Sequence, residues 1–517
     1  MKTNLLFKNF VSLVPANALL PLIQFLVVPI YIDYLGLEGY GLIGFFAALT
    51  LVLSIFSRGV SGVIQREFAI RDVHPVDRIT MRKFQFTMEI LYWAIGLAVG
   101  IIIAGFSSYI SEKWIYLETI SRDDVRYCVL LIALRIVLAL PTGAYSSVLV
   151  GLQRHVTISS LNIVYSLVAV ATNLFAIFIF RSVLAFYISD LIVLACYTLV
   201  LRFCTLRAMP PREVSSHVYF DFEEIKKAWR MILGLIGING INTLISQIDR
   251  LVIANWLPLT LLGVYNAGAA GGSLLKIAVI GPFVSAVFPQ TCQLCMSSKL
   301  DGFASHVLRN SKIVFILTLA CGLPLSLFAS EVLEVWTRNS LVVSEGAVVM
   351  ALYLYGTIAS GMAETFTRSQ LAQGITRYSV WFNCVLLIWY PPVVWYMVKE
   401  FGLVGGAGAS VLSAFTCWMY QIVIHHFVLA PNAKISQYVR PLLLVGLADF
   451  CLALTARHAA NVWFMHSPWL ALAVAAIASG LSVLIGGAMI FGITPIREQL
   501  LNLLSARLWV ESGITRK

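Results

Sequence analysis

The sequence predicts an all-α polytopic membrane protein with about fourteen transmembrane helices. Hydrophobic residues make up 59% of its 517 residues and charged residues only 12%, whereas soluble globular chains carry about 25% charged residues. The mean hydropathy of +0.87 agrees with this class. In addition, most Lys and Arg residues fall in every second loop between the apolar segments. The bilayer therefore sets the length of the repeating element, at about 20 apolar residues per span.

Apolar segments of this length recur along the whole chain, with uncertain ends. The predicted spans are 9–32, 39–64, 86–110, 125–150, 157–179, 183–204, 231–255, 262–288, 311–333, 346–370, 378–398, 404–428, 441–461 and 468–491. With a cytoplasmic N-terminus, the loops rich in Lys and Arg all fall inside, as the positive-inside rule requires. Missing one span would invert every later loop. We therefore predict a multi-pass protein with an even number of spans and with cytoplasmic N- and C-termini.

The same features argue against several other functions. A net charge of +11 is compatible with nucleic-acid binding, but the basic residues lie in loops, where they report orientation. No predicted loop on the outside exceeds about 14 residues, too few for a catalytic domain. The nine cysteines and eight histidines show no metal-ligand spacing, and no phosphate-cradling loop or nucleophile elbow is present. We predict no enzyme activity, no catalytic residues, no metal and no cofactor.

An internal repeat organises the predicted spans. Leu35-Gly36 followed by Gly41 matches Leu257-Pro258 followed by Gly263, and the segments that begin at Gly151 and Gly374 match at nearly the same offset. An even-numbered repeat keeps its orientation in the membrane, which indicates two parallel halves. The predicted domains are an N-terminal six-helix bundle, a cytoplasmic linker with an interfacial helix, a second six-helix bundle, two additional helices and a cytoplasmic tail, at residues 1–204, 205–230, 231–428, 429–491 and 492–517.

The linker has its own helix signal. Asp221, with Glu224 three residues later, resembles a capping box. Behind it, apolar residues follow a helical spacing, which favours a short interfacial helix leading into the seventh span.

Basic residues inside the spans are the strongest functional candidates. Arg135 and Lys276 lie near the predicted midplane, Arg58 lies in the inner half of the second span, and Arg250 lies nearer the outer end of the seventh. Each such charge costs about 2.5–3.5 kcal/mol at a helix centre. Either they line a wet cationic cavity, in which they bind an anionic substrate, or they pair internally. Arg suits phosphate because its fork makes two parallel hydrogen bonds.

Acidic residues in the spans are candidates for ion coupling, with a proton or sodium as the coupling ion. These candidates are Asp249, Asp190 and Glu364. The alternative is structural, because these three residues and Asp449 are also the available salt-bridge partners of the basic residues.

Two stretches carry a resemblance to a known group of proteins. QFLVVPIYIDYLGLEGYGLIGFF, residues 24–46, and SQIDRLVIANWLPLTLLGVYNAG, residues 246–268, resemble equivalent hairpins of the multidrug/oligosaccharidyl-lipid/polysaccharide exporter superfamily. More narrowly, they resemble the polysaccharide flippases of the O-antigen, Wzx type. The resemblance covers essentially the whole chain. It implies two six-helix bundles that work by alternating access on an undecaprenyl-diphosphate-linked oligosaccharide. The cargo would be moved from the cytoplasmic to the periplasmic leaflet of the bacterial inner membrane.

The resemblance also implies partners, namely the lipid-linked oligosaccharide, membrane lipids, and the polymerase and other proteins of polysaccharide assembly. The lipid II branch carries Arg in its first helix, and the absence of Arg from the first span here argues against a peptidoglycan precursor as cargo. Two alternatives stay open at this point. One is a cation-coupled drug exporter of the same superfamily, and the other is a membrane polysaccharide polymerase or ligase.

Overall fold

A computed structural model gives the fold of the chain. It describes residues 2–72, 80–209, 220–296, 300–375, 377–429, 436–463 and 467–491. These residues are almost entirely helical, and the one β-interaction among them is an isolated bridge between Tyr116 and Pro258. Eleven of their helices are long and apolar enough to cross a membrane. The prediction of an all-α polytopic membrane protein is confirmed, while the count of about fourteen stays a prediction.

The main helices of the described residues are numbered in chain order. They are α1 (Lys2–Leu53), α2 (Ile55–Arg71), α3 (Met81–Gly105), α4 (Arg122–Gly151), α5 (His155–Phe180), α6 (Val183–Ala208), α7 (Phe222–Ile245), α8 (Ile248–Trp256), α9 (Leu259–Leu275), α10 (Gly281–Met296), α11 (Leu300–Leu327), α12 (Ala329–Thr337), α13 (Ser340–Ala372), α14 (Arg377–Ile424), α15 (Ser436–Trp463) and α16 (Pro468–Phe491).

Two long helices turn at a glycine. α1 turns at Gly36, with a φ of 74°, and α14 turns at Gly402, with a φ of 57°. Glycine reaches these angles without the steric cost that a Cβ would impose. A straight helix as long as α14, with 48 residues, would extend about 72 Å, more than twice the hydrocarbon thickness of about 30 Å. Each of the two helices therefore holds one predicted span and most or part of the next.

The chain divides into two compact units. Unit 1 comprises residues 1–267 and 383–409, and unit 2 comprises residues 268–382 and 410–517. The domain boundaries predicted from the repeat stay predictions. The predicted tail, 492–517, and residues 210–219 of the predicted linker lie outside the described residues.

Close helix approach through small residues holds part of unit 1 together. Gly96 and Gly100, one helical turn apart on α3, both face Val137 of α4. A Cβ on Gly100 would lie 2.6 Å from a Val137 methyl group, so only glycine permits this spacing. Lipid tails are as apolar as the side chains, so packing of this kind, rather than removal from water, stabilises helix pairs in a bilayer.

The helix that begins the second half of the chain is anchored by its first turn. Asp221 caps α7, with its Oδ1 accepting from the Glu223 amide at 2.9 Å. The Asp221 amide donates to the Thr87 hydroxyl at 3.1 Å. The predicted capping box is therefore wrong in its second half, because Glu224 has a different partner. The helix itself continues without a break from the linker to Ile245.

That partner is a basic residue of unit 1. The Glu224 carboxylate accepts from Arg71 Nη2 at 2.6 Å, and Arg71 also lies over the Phe84 ring at 4.4 Å. A second pair, Lys83 Nζ with Asp221 Oδ2, measures 2.7 Å. Together these two ion pairs, named the linker clamp, fix the start of α7 against α2 and α3.

Two helix hairpins cross at matching glycines within unit 1. A Cβ on Gly41 would lie 2.1 Å from the Leu259 carbonyl oxygen, and a Cβ on Gly263 would lie 2.2 Å from the Leu37 carbonyl oxygen. Gly41 and Gly263 are separated by the same number of residues as Leu37 and Leu259. The contact is therefore reciprocal, which supports the internal repeat at these hairpins.

A buried carboxylate holds the loop beside this crossing. Glu38, only 6% exposed, accepts from the amides of Glu118, Thr119 and Ile120 at 2.7, 2.8 and 3.2 Å, and from the Thr119 hydroxyl. Glu118 in turn accepts from the Thr260 hydroxyl. The loop after α3 is therefore tied to both hairpins by hydrogen bonds.

Unit 2 has its own apolar core where three helices meet. Its members are Phe315 and Ile316 on α11, Ile358 and Met362 on α13, and Val445 on α15. Near one end of the same unit, Arg457 of α15 makes an ion pair with Glu331 of α12. The additional C-terminal helices of the predicted architecture thus pack into unit 2.

Candidate functional site

The first candidate residue, Arg135, lies in an ion pair inside unit 1. Its Nε donates to Asp190 Oδ2 at 2.5 Å, from α4 to α6. The Arg135 side chain is 24% exposed and the Asp190 side chain is 12% exposed. Pairing is expected on physical grounds, since each charge by itself would be costly inside a span.

This ion pair agrees with the alternative in which the basic residues inside the spans pair with acidic residues of the protein. It also gives one acidic candidate, Asp190, a structural partner. Partial exposure of the pair leaves the guanidinium within reach of a ligand. The roles of Arg135 in substrate binding and of Asp190 in ion coupling stay predictions.

Arg250 lies at the start of α8, in a cluster of polar side chains within unit 1. Its Nε donates to Asn266 Oδ1 at 3.0 Å and its Nη1 donates to Gln247 Oε1 at 3.0 Å. The amide oxygens orient the guanidinium. The space in front of Asn266 depends on Gly44, where a Cβ would lie 2.0 Å from Asn266 Nδ2.

Asp249 has a different orientation from its neighbour in sequence. It is 2% exposed, and its Oδ2 accepts from the Tyr265 hydroxyl at 2.6 Å. Its Oδ1 accepts from the Arg250 amide at 2.9 Å. Asp249 is therefore a buried, hydrogen-bonded carboxylate on the same short helix as the basic candidate.

Lys276 belongs to unit 2 and has an environment unlike that of Arg135. It begins a π-helical turn, Lys276–Ile280, between α9 and α10, and its side chain is exposed. Within the described part of the chain it forms no salt bridge. Pro282 follows the turn and has no amide hydrogen to donate, which accounts for the local departure from α-helical bonding. Single π-helical turns are frequent at functional sites.

Glu364 of α13 lies in the same unit and pairs with the residue one turn later. Its Oε1 accepts from Arg368 Nε at 2.9 Å. Both side chains are more than one-third exposed, so the pair contributes only about 0.3–0.5 kcal/mol. The Cys417 thiol of α14 lies within electrostatic reach of both Glu364 and Lys276. The structure therefore brings one basic and one acidic candidate into the same region of unit 2.

Arg58 lies on α2, and its side chain is outside the described residues. Asp449, which the sequence offered as a salt-bridge partner, is fully buried on α15 near Ser482 of α16. The prediction for Arg58 stays untested.

A further buried carboxylate was not among the predicted residues. Glu89 of α3 is 8% exposed, and its Oε1 accepts from Arg202 Nε at 2.7 Å and from the Tyr145 hydroxyl at 2.8 Å. Arg202 lies two residues before the end of the predicted span 183–204, and α6 continues past it to Ala208. The signal in the sequence was an acidic residue four positions into a predicted span, at 86–110.

The helical architecture, the internal glycine crossing and the charged side chains held inside apolar helices together define the class. Two solved structures share the fold. One is "Lipid II flippase MurJ, inward closed conformation", with a TM-score of 0.70 and 12% identity, which covers 94% of this chain and 99% of that one. The other is an inward-facing MATE family multidrug resistance transporter of the MOP superfamily, with a TM-score of 0.65 and 12% identity, which covers 81% of this chain and all of that one. The chain has the fold of the MOP superfamily of polytopic helical transporters.

Within that class, the model of one family matches more than half of the chain. The chain belongs to the polysaccharide biosynthesis protein family, whose model matches residues 6–294. A curated relative from Shigella flexneri, with the name "Putative O-antigen transporter", is 21% identical over 377 residues. That match covers 72% of this chain and 86% of the relative. These findings confirm the superfamily and the polysaccharide branch to which the sequence was compared.

Proposed function

We propose that the protein is a flippase that moves an undecaprenyl-diphosphate-linked oligosaccharide from the cytoplasmic to the periplasmic leaflet of the bacterial inner membrane. Membership of the polysaccharide biosynthesis protein family supports this proposal, as does the name of the relative from Shigella flexneri. In the proposed orientation both termini are cytoplasmic. The protein works without chemical change to its cargo, by alternating access.

One observation carries the proposal at the level of residues. Lys276 lies well inside the candidate span Leu259–Cys295, is exposed, and forms no salt bridge with any described residue. An ammonium group in contact with lipid at that depth costs about 2.5–3.5 kcal/mol. An aqueous cavity removes this cost, and an anionic guest compensates it. We assign the ammonium group to the diphosphate of the cargo.

The arginines are further proposed phosphate-binding residues. Arg250 is presented by the amides of Asn266 and Gln247, a geometry that suits paired hydrogen bonds to a phosphate. The polyprenyl tail stays in the surrounding lipid, which avoids burying a long chain inside the protein. Arg135 and Arg58 are the remaining predicted phosphate-binding residues.

The pair of Arg135 and Asp190 is the first proposed site of ion coupling. Protonation of Asp190, or binding of sodium to it, would remove the partner of the guanidinium and free it for the diphosphate. Reversal of that step would release the cargo. Asp249 and Glu364 are the other proposed coupling residues, and polymerase and assembly proteins are the proposed partners after release.

A test in cells follows directly. In a strain of the source bacterium without its own copy, wild-type protein is expected to restore surface polysaccharide, and Lys276→Ala is expected to restore less than about one-tenth of it. Lys276→Arg keeps the charge and is expected to restore most of it. Lys399→Ala serves as the matched control, because this exposed lysine lies over the rings of Trp256 and Trp395 at the end of a span. Full export with Lys276→Ala at equal protein abundance would contradict the assignment.

A further inference from the structure

The polar side chain of Asn162 is exposed on the face of α5 that lies opposite the lipid-facing side. Asn162 shares one face of this helix with Ala169 and Asn173, which are both buried. The opposite face carries Val164 and Phe175, 58% and 65% exposed, as expected of the side that faces lipid. The exposure of Asn162 among buried residues on this face indicates a cleft beside it.

Two tyrosines form the wall of this cleft. The rings of Tyr165 on α5 and Tyr197 on α6 stack with centroids 4.2 Å apart and an angle of 24° between their planes. The Tyr197 hydroxyl donates to Asn162 Oδ1 at 2.5 Å. Both rings are half-buried, so each keeps part of its surface open to the cleft. We name these three residues the tyrosine cleft.

Charged and hydroxyl groups lie beside the two rings. The ion pair of Arg135 and Asp190 is within electrostatic reach of Tyr165. Tyr187, 5% exposed on α6, is near the same pair, and its hydroxyl has no hydrogen-bond partner among the described residues.

The combination matches the surface of a sugar ring. A pyranose presents apolar C–H groups on its faces and hydroxyl groups around its edge. Flat aromatic surfaces accept the apolar faces, and amide, carboxylate and guanidinium groups bond to the hydroxyls. We propose that the tyrosine cleft binds a sugar ring of the cargo, next to the Arg135–Asp190 pair. This inference rests on the proposed function and adds a subsite for the glycan.

A second stacked aromatic pair serves as a comparison for the tyrosine cleft. Phe382 and Tyr420 in unit 2 stack with centroids 4.7 Å apart at 25°. Phe382 is 7% exposed and has no hydroxyl, and the Tyr420 hydroxyl donates to the backbone oxygen of Tyr378 at 2.9 Å. That pair is a helix-packing contact. The cleft differs from it by its two hydroxyls and by the exposed amide of Asn162.

The test compares two lipids on the purified full-length protein in lipid nanodiscs. The probes are polyprenyl diphosphate and polyprenyl-diphosphate-linked N-acetylglucosamine, with dissociation constants measured for each. Wild-type protein is expected to prefer the sugar-bearing lipid about tenfold, which corresponds to 1.4 kcal/mol. The Tyr165→Leu, Tyr197→Leu double variant is expected to lower this preference below about twofold while its affinity for polyprenyl diphosphate stays within twofold.

Two milder variants and one control keep the test sharp. Tyr165→Phe retains the ring and is expected to retain most of the preference, whereas Asn162→Ala is expected to lose about half of it on a logarithmic scale. Phe382→Leu removes the other stacked pair and is expected to leave the preference unchanged. A preference that persists in the double variant and in Asn162→Ala would overturn the cleft assignment alone. Failure of wild-type protein to bind either lipid would overturn the proposed function as well.

Discussion

Arg135 and Asp190 form an ion pair across α4 and α6, with 2.5 Å between Nε and Oδ2. The two charges come from helices that are adjacent in unit 1 but 55 residues apart in sequence. Their pairing explains how a basic residue near the predicted midplane is tolerated. Substitution of one partner should lower the stability of the protein, since the other charge is then left without compensation.

The first prediction concerns the ion pair of Arg135 and Asp190. Asp190→Asn removes the carboxylate charge and is expected to lower the free energy of unfolding by about 1–3 kcal/mol, because a partly buried guanidinium then lacks its counter-charge. The Arg135→Gln, Asp190→Asn double variant is expected to be more stable than Asp190→Asn alone. Thermal unfolding of detergent-purified protein measures both. Equal melting temperatures for the wild-type protein and Asp190→Asn would contradict this view of the pair.

The second prediction concerns the glycine crossing. Gly41→Ala and Gly263→Ala are expected to cause similar losses of thermal stability, since each new Cβ meets a backbone carbonyl oxygen that no rotamer change can move. The control is Gly237→Ala on α7, where a Cβ meets nothing within 4 Å. That control is expected to be neutral or more stable by about 0.5–1 kcal/mol. Unchanged stability in both crossing variants would contradict the close approach.

The third prediction concerns Glu38 and the loop after α3. Glu38→Ala leaves the amides of residues 118–120 without their acceptor, and hydrogen exchange at these amides is expected to accelerate at least tenfold. Glu38→Gln keeps one acceptor oxygen and is expected to have a smaller effect. Glu345→Gln, at an exposed position on α13, serves as the control. Unaltered exchange in Glu38→Ala would show that the loop is held by other contacts.

The fourth prediction concerns the linker clamp. Arg71→Glu and Glu224→Arg each place like charges together and are expected to lower the melting temperature. The double exchange restores opposite charges and is expected to recover part of the loss, with a coupling energy of about 1 kcal/mol or more. Recovery is incomplete because the exchange also removes the contact between Arg71 and the Phe84 ring. If the stability losses of the two single variants simply add up in the double exchange, the 2.6 Å contact makes no contribution to stability.

The fold class was accessible from the sequence because the bilayer imposes a simple rule on composition. Apolar segments of about 20 residues, separated by basic loops, predict membrane-spanning helices without knowledge of tertiary contacts. The turns at Gly36 and Gly402 fall between predicted spans, as expected. The repeat also pairs Gly41 with Gly263, the two glycines at which the hairpins cross.

The partners of the charged residues were not accessible in the same way. Four carboxylates were equally available to Arg135, and only the packing of α4 against α6 selects Asp190. Asp249 and Arg250 are neighbours in sequence, yet consecutive residues on a helix point about 100° apart, so their side chains have different partners. Glu89 was equally inaccessible, because its partner, Arg202, comes from a helix 113 residues later in the sequence.

The central claim is that a positive charge inside the spans receives the diphosphate of a lipid-linked glycan. The most direct measurement is the rate at which purified protein in proteoliposomes moves fluorescent polyprenyl-diphosphate-linked N-acetylglucosamine between leaflets. Wild-type protein and Lys276→Arg are expected to move the lipid at similar rates, and Lys276→Ala is expected to be at least tenfold slower, in line with the loss of one charge-assisted hydrogen bond. Equal rates for Lys276→Ala and wild-type protein, or no movement of the lipid by wild-type protein, would contradict the account.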